Sequence, residues 1–162
     1  LIALYSASGI YHFSRAAANV LVVLRKLDHA MIYVLIAGTY TPLLLGLLPA
    51  PRAEVFTAVI WGVALAGIVM KLCWINAPRW LGTTLYLLLG WAIAIDLPAL
   101  AALPVPAVAL LAAGGLLYTA GGLIYMIKRP NLSGRFGFHE IFHLFVIAGS
   151  LCHYFLVLLY IA

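Results

Sequence analysis

Two histidines near the C-terminus have the spacing of a metal-binding pair. His139 and His143 lie in the stretch FHEIFHLFVIAG, four residues apart. Residues with this spacing share one face of an α-helix and lie about 6 Å apart. Two imidazoles in that arrangement can take adjacent corners of the ligand tetrahedron of a zinc ion. The pattern therefore predicts a metal site at the start of a helix.

Three polar residues from the first part of the chain could complete this site. His12 would supply a third imidazole, and Ser8 precedes it by about one helical turn. Asp28 begins the next apolar segment. A carboxylate beside a metal ion can hold a water molecule and accept its proton. We therefore predict a Zn²⁺ site with the ligands His12, His139 and His143. Asp28 and Ser8 are the predicted catalytic residues.

The composition indicates whether these residues belong to a soluble protein or to a membrane protein. Apolar residues make up 67% of the 162 residues, charged residues only 8%, and the mean hydropathy is +1.17. A soluble domain of this length could not cover so much apolar surface, so the chain is predicted to be a multi-pass membrane protein. Its net charge of +5 then reports orientation in the membrane rather than binding to nucleic acid. Membrane lipids are the expected partners.

Proline, glycine and charge clusters divide the chain into apolar segments. Most approach the roughly 20 residues that a helix needs to cross the hydrocarbon core. Helices are favoured because lipid requires each segment to pair its own backbone groups. We predict an all-α, polytopic transmembrane helix bundle that forms a single transmembrane domain over residues 1–162. The predicted spans are about 1–13, 27–48, 53–73, 80–97, 106–127 and 138–161.

The basic residues predict the orientation of these spans. Most fall in or beside connections that alternate spans place on one side of the membrane, namely Arg15, Arg25, Lys26, Lys71, Arg79, Lys128, Arg129 and Arg135. Only Arg52 falls on the other side, where Asp96 also lies. This asymmetry predicts that the first side, which holds the histidine site, is cytoplasmic in the plasma membrane.

Three other ionisable residues near the predicted site have structural interpretations. His29 adjoins Asp28 but is expected to point to another face of the helix. His153 lies ten residues beyond His143, about 15 Å further along the helix, which is too far for the same ion. Glu140 is rotated about 100° from His139, and an acidic side chain in the first turn also stabilises a helix through its dipole.

Three motifs, in order along the chain, resemble the progestin and adipoQ receptor family, specifically its bacterial hemolysin III branch. They are SASGIYHF with Ser8 and His12, LDHAMIYVLIAGTYTP with Asp28, and FHEIFHLFVIAGSLCHY with His139 and His143. The resemblance implies a seven-helix bundle with a cytoplasmic N-terminus. We then expect the present chain to be truncated at its N-terminus to about six helices. It also implies zinc on these three histidines near the cytoplasmic face, with Asp28 and Ser8 beside a water at the fourth position.

The resemblance places the chain near the alkaline ceramidases and so implies a zinc-dependent hydrolase of lipid amides or esters. Roles in membrane-lipid homeostasis or cytolysis follow from the same resemblance. Two alternatives remain open. HEIFH matches the H-E-x-x-H pattern of zinc proteases, in which Glu140 would be the general base of an intramembrane protease. A receptor or sensor with a structural zinc ion is the non-enzymatic alternative.

Overall fold

The protein is a bundle of α-helices, as predicted. The structure, a computed structural model, describes residues 1–74, 76–95, 97–101, 103–132 and 136–161. Within these ranges every regular element is helical and no strand occurs. The elements are α1 (Ile2–Phe13), α2 (Ala18–Leu47), α3 (Ala50–Cys73), α4 (Arg79–Gly90), a 3₁₀ helix (Ala92–Ile95), α5 (Leu97–Ala101), α6 (Val105–Ile127) and α7 (Phe138–Tyr160). Asp96 and Arg135, which entered the predicted orientation, lie outside the described residues.

Four of these helices are long and apolar enough to cross a membrane, namely α2, α3, α6 and α7. Large apolar side chains such as Val59, Leu116 and Leu158 are exposed on their outer surfaces. In water this surface would be highly unfavourable, whereas in lipid it contacts acyl chains. The prediction of a multi-pass membrane protein is therefore confirmed.

The helices pack around small residues. The most extensive helix pairs are α6 with α7 and α2 with α3. A side chain added at Gly67 of α3 would collide with the ring of Tyr33 of α2, and one at Gly149 of α7 would collide with the ring of Tyr118 of α6. Glycine lets membrane helices approach closely, and van der Waals contact then stabilises the pair.

Helix α2 begins earlier than predicted. The sequence interpretation started this span near residue 27, because Arg25 and Lys26 suggested a polar connection. In the structure α2 begins at Ala18, so both basic residues belong to the helix. The Lys26 ammonium donates a hydrogen bond of 2.6 Å to the carbonyl of Leu72 at the end of α3. The helix thus extends past the apolar stretch, and the Lys26 side chain finds its partner at the end of α3.

The predicted fourth span, 80–97, is interrupted in the structure. Helix α4 ends at Gly90, and the chain continues as a 3₁₀ helix. The Tyr40 hydroxyl donates to the carbonyl of Gly90 at 2.7 Å and accepts from the backbone N–H of Ile93 at 2.9 Å. A broken helix in a membrane needs partners for its freed backbone groups. Tyr40 of α2 supplies them, so the interruption depends on a tertiary contact.

Candidate metal centre

The ends of two helices bring three histidines together. His12 lies in the last turn of α1, and His139 and His143 lie in the first two turns of α7. The start of α7 is fixed by two side chains: Glu140 Oε2 accepts from the N–H of Gly137 at 2.8 Å, and Asn131 Oδ1 accepts from the N–H of Phe138 at 3.1 Å. These caps satisfy backbone donors that a helix N-terminus leaves free. By fixing the start of α7, they also fix the positions of His139 and His143.

The Nε2 atoms of the three rings point towards one another. His139 Nε2 lies 3.2 Å from His12 Nε2 and 3.2 Å from His143 Nε2. All three ligand atoms lie within 4.8 Å of one another. The ring of His143 is nearly perpendicular to those of His12 and His139, at 88° and 87°. His12 is exposed, whereas His139 and His143 are half-buried.

This geometry fits a tetrahedral metal ion better than it fits hydrogen bonds alone. In a neutral imidazole, Nε2 carries either one proton or one lone pair. His139 Nε2 can therefore bond well to one of its two neighbours but not to both. Zinc–nitrogen bonds of about 2.0–2.1 Å would place neighbouring nitrogens about 3.3–3.4 Å apart. The observed 3.2 Å separations are close to that value, and a three-histidine set leaves a fourth position open.

The two predicted catalytic residues lie on the same cavity as the histidines. Asp28, near the first third of α2, and Ser8, one turn before His12, both line it. The carboxylate of Asp28 is near enough to interact electrostatically with His139 and His143. It forms no ion pair with any described residue. Ser8 is buried. The structure thus brings together all five residues that the sequence singled out.

Glu140 does not belong to this group. Its side chain is exposed and is engaged in capping the α7 N-terminus. It is also absent from the described lining of the cavity. The protease interpretation needs this carboxylate beside the metal-bound water. The helix-start interpretation of Glu140 matches the structure instead.

The other two histidines lie outside the triad. The ring of His29 lines the same cavity, and its Nδ1 donates to the carbonyl of Arg25 at 2.7 Å. His153 Nδ1 donates to the carbonyl of Gly149 at 2.9 Å, and its ring stacks on Tyr118 at 5.3 Å. Neither ring joins the group of three ligand atoms. His29 and Asp28, neighbours on α2, both border this cavity.

The cavity extends from the histidine triad deep into the bundle. It has a volume of about 310 Å³ and reaches His153. Fourteen residues of helix separate His139 from His153, a rise of about 21 Å. Most of the wall is apolar, with side chains such as Ile32, Leu87 and Val146. The polar residues of the triad therefore lie at one end of a long apolar chamber.

A hydroxyl cluster that the sequence analysis missed joins the helices that carry the histidines. Ser150 Oγ of α7 lies 3.1 Å from the Tyr5 hydroxyl of α1 and 2.8 Å from the Tyr118 hydroxyl of α6. Ser150 is buried. The only available signal was the regular spacing of Tyr5 before His12 and of Ser150 after His143, seven residues in each case. That spacing alone does not identify a pairing between helices.

These features define an all-helical, multi-pass membrane protein with a cluster of three histidines at one end of its internal cavity. Comparison with protein families matches residues 1–154 to the family described as "Haemolysin-III related". The chain belongs to this family.

Two curated relatives, both from Bacillus, extend this finding. The chain is 40% identical over 139 residues to the "Hemolysin-3 homolog" of Bacillus subtilis (strain 168), a match that covers 85% of the chain and 63% of the relative. It is 38% identical over 136 residues to "Hemolysin-3" of Bacillus cereus, with 83% and 60% covered. The chain thus spans about three fifths of the length of these relatives. No solved structure matches it.

Proposed function

We propose that this chain forms a zinc-dependent membrane hydrolase that acts on lipid amides or esters. The observation that carries the proposal is the convergence of three histidine Nε2 atoms beside Asp28 at one end of an apolar cavity. His12, His139 and His143 would hold the ion. When bound in such a site, zinc supplies a Lewis acid for a carbonyl group and lowers the pKa of a water molecule to about 7.

The protein's own residues would perform the remaining steps. Asp28 would accept a proton from the attacking water and pass it to the leaving amine or alcohol as the acyl bond breaks. Ser8 would hold the water or the polar group of the substrate through its hydroxyl. The partly buried position of the triad limits solvent access, which strengthens each of these electrostatic contacts.

The cavity supports a lipid as substrate. Its length of about 21 Å exceeds the depth of one leaflet, since the whole hydrocarbon core is about 30 Å thick. Apolar side chains such as Leu35 and Val146 line it beyond the triad. An acyl chain could lie in this chamber while its carbonyl group stays beside the histidines.

The site would face the cytoplasm. The helix ends that surround the triad carry or adjoin most of the basic residues, among them Arg25, Lys71 and Arg79, whereas Arg52 lies at the opposite end. Basic residues accumulate on the cytoplasmic side of membrane proteins. The name of the Bacillus cereus relative, "Hemolysin-3", adds cytolysis to membrane-lipid homeostasis as a possible cellular outcome of such an activity.

Lipid turnover by the purified protein tests this function. The zinc-loaded and the chelator-treated protein would be incubated with vesicles that contain amide-linked and ester-linked lipids, and the products measured by mass spectrometry. We expect free fatty acid to be released only by the zinc-loaded protein. If zinc is bound but no lipid amide or ester is cleaved, the zinc site is structural, and the sensor or receptor alternative replaces the hydrolase.

A further inference from the structure

We propose that Arg25 and Arg79 bind a lipid phosphate at the mouth of the cavity, so that the substrate class is a phospholipid acyl ester. The cleavage of the acyl ester rests on the proposed function, whereas the binding of the lipid phosphate does not. Both arginines line the cavity that the histidine triad borders. Together with Asp28, they are the charged residues, histidines aside, in its described wall.

Aromatic rings hold Arg79 beside the triad. Its guanidinium carbon lies 5.2 Å from the centre of the Tyr125 ring and 5.7 Å from that of Phe138. The Tyr125 ring in turn lies 6.1 Å from the ring of His139. Cation–π contacts of this kind fix a guanidinium without using its N–H donors. Arg79 donates no hydrogen bond to a described residue, so those donors remain available for an anion.

Arg25 reaches the same cavity from α2, one turn before Asp28. Its charge interacts with that of Lys71 of α3. Lys71 is only 4% exposed, and its ammonium lies next to Gly82 of α4. Neither these two cations nor Arg79 forms an ion pair with a described carboxylate. Cations held close together without an ion-pair partner favour the binding of an anion.

Membrane orientation alone does not explain this arrangement. Arg15, Lys128 and Arg129 lie in or beside the connections at the same end of the bundle and satisfy the orientation rule without lining the cavity. Arg25 and Arg79, by contrast, contribute to its wall. The described lining contains these two cations but only one carboxylate, that of Asp28. The mouth of the cavity is therefore positive as well as polar.

Phosphate is the anion that best fits such a mouth. The planar guanidinium matches phosphate oxygens in bidentate geometry. In a glycerophospholipid only a few bonds separate the phosphate from the ester carbonyls. A phosphate held by Arg79 and Arg25 would leave a carbonyl near the histidines and an acyl chain in the apolar chamber. Hydrolysis then breaks the acyl C–O bond, water supplies the oxygen of the fatty acid, and Asp28 passes the proton to the lysophospholipid hydroxyl.

Substrate preference tests the proposal in the zinc-loaded full chain. The substrates are short-chain phosphatidylglycerol and a diacylglycerol with the same acyl groups, which lacks the phosphate. We expect kcat/KM to favour the phospholipid by at least about tenfold, the effect of a charge-assisted hydrogen bond. The double variant R25Q/R79Q should lose this preference with unchanged zinc content. Arg15→Gln is the matched control. Equal kcat/KM for the two lipids in the unaltered protein would overturn the proposal and leave the hydrolase intact.

A binding measurement separates this proposal from the hydrolase function. Dansyl-labelled phosphatidylglycerol is titrated into protein in neutral detergent micelles, and inorganic phosphate is added as a competitor. Weaker binding to R25Q/R79Q, but not to Arg15→Gln, supports the proposal even if the protein cleaves no lipid. Equal binding to all three proteins contradicts it. Full displacement by millimolar phosphate also contradicts it, because the site would then recognise the free anion.

Discussion

The hydroxyl oxygens of Tyr5 and Ser150 lie 3.1 Å apart, two helical turns below the histidines of their respective helices. Tyr5 precedes His12 by seven residues, and Ser150 follows His143 by seven. Because α1 and α7 run in opposite directions here, this bond sets the level at which the histidines meet. The Tyr118 hydroxyl, 2.8 Å from Ser150 Oγ, adds α6 to the same contact.

Replacing Ser150 with Ala should therefore weaken metal binding without touching a ligand. The change leaves two tyrosine hydroxyls without their shared partner and loosens the alignment of α1 with α7. Supporting residues of metal sites typically contribute about 10–100-fold to metal affinity, and we expect a loss in this range. Zinc affinity measured by competition with a chromogenic chelator would show it. Ser6→Ala, on an exposed position of α1, is the control. An unchanged affinity in Ser150→Ala would mean that other contacts set the alignment.

Asp28→Asn should separate zinc binding from catalysis. The amide keeps the size of the side chain but cannot accept the proton of the attacking water. Loss of a general base lowers rates by about 10²–10⁴-fold, so we expect lipid turnover to fall by this factor while zinc content and thermal stability persist. The readouts are fatty-acid release and metal analysis of the same preparation. Retention of full activity would remove Asp28 from the proposed mechanism.

Glu140→Gln distinguishes the hydrolase from the protease interpretation. Glutamine can still accept the Gly137 N–H and so preserves the helix cap. Since Glu140 lies outside the cavity lining and caps α7, lipid turnover and zinc content should both remain unchanged. Activity measured beside that of Asp28→Asn makes the comparison direct. A large loss of lipid turnover in Glu140→Gln would instead support Glu140 as the general base.

Two tyrosines offer a matched test of the interruption in the α4 region. Tyr40→Phe removes the hydroxyl that bonds Gly90 and Ile93, so two backbone groups lose their partner. A buried polar group without a partner costs about 1–3 kcal/mol, and the melting temperature in detergent should fall accordingly. The Tyr33 hydroxyl is buried and has no partner among the described residues. Tyr33→Phe should therefore be neutral or stabilising. A larger loss in Tyr33→Phe than in Tyr40→Phe would contradict this account of the broken helix.

The helical class and the candidate site residues could both be predicted from the sequence because both depend on strong local signals. Hydropathy identifies membrane segments, and the four-residue spacing of His139 and His143 fixes a shared helix face. The convergence of His12 with them followed from the alternation of spans, which places its helix end on the same side. Asp28 and Ser8 followed from the same reasoning, and the structure brings both to the cavity.

The features that were missed depend on contacts between helices. The end of α4 at Gly90 is stabilised by Tyr40, fifty residues away in sequence, and no local pattern encodes that bond. The early start of α2 was hidden because Arg25 and Lys26 are typical of a connection, although a helix can continue beyond the apolar core. The placement of Arg79 between Tyr125 and Phe138 likewise exists only once α4, α6 and α7 have packed.

Metal analysis of the purified protein tests the central claim most directly. Zinc per chain would be measured by inductively coupled plasma mass spectrometry for the unaltered protein, His12→Ala and His153→Ala, all confirmed as folded by circular dichroism. The account predicts a single zinc ion per chain in the unaltered protein and in His153→Ala, and a loss of zinc in His12→Ala. The account would be contradicted if the unaltered protein contained no zinc, or if the His12→Ala protein retained all of its zinc.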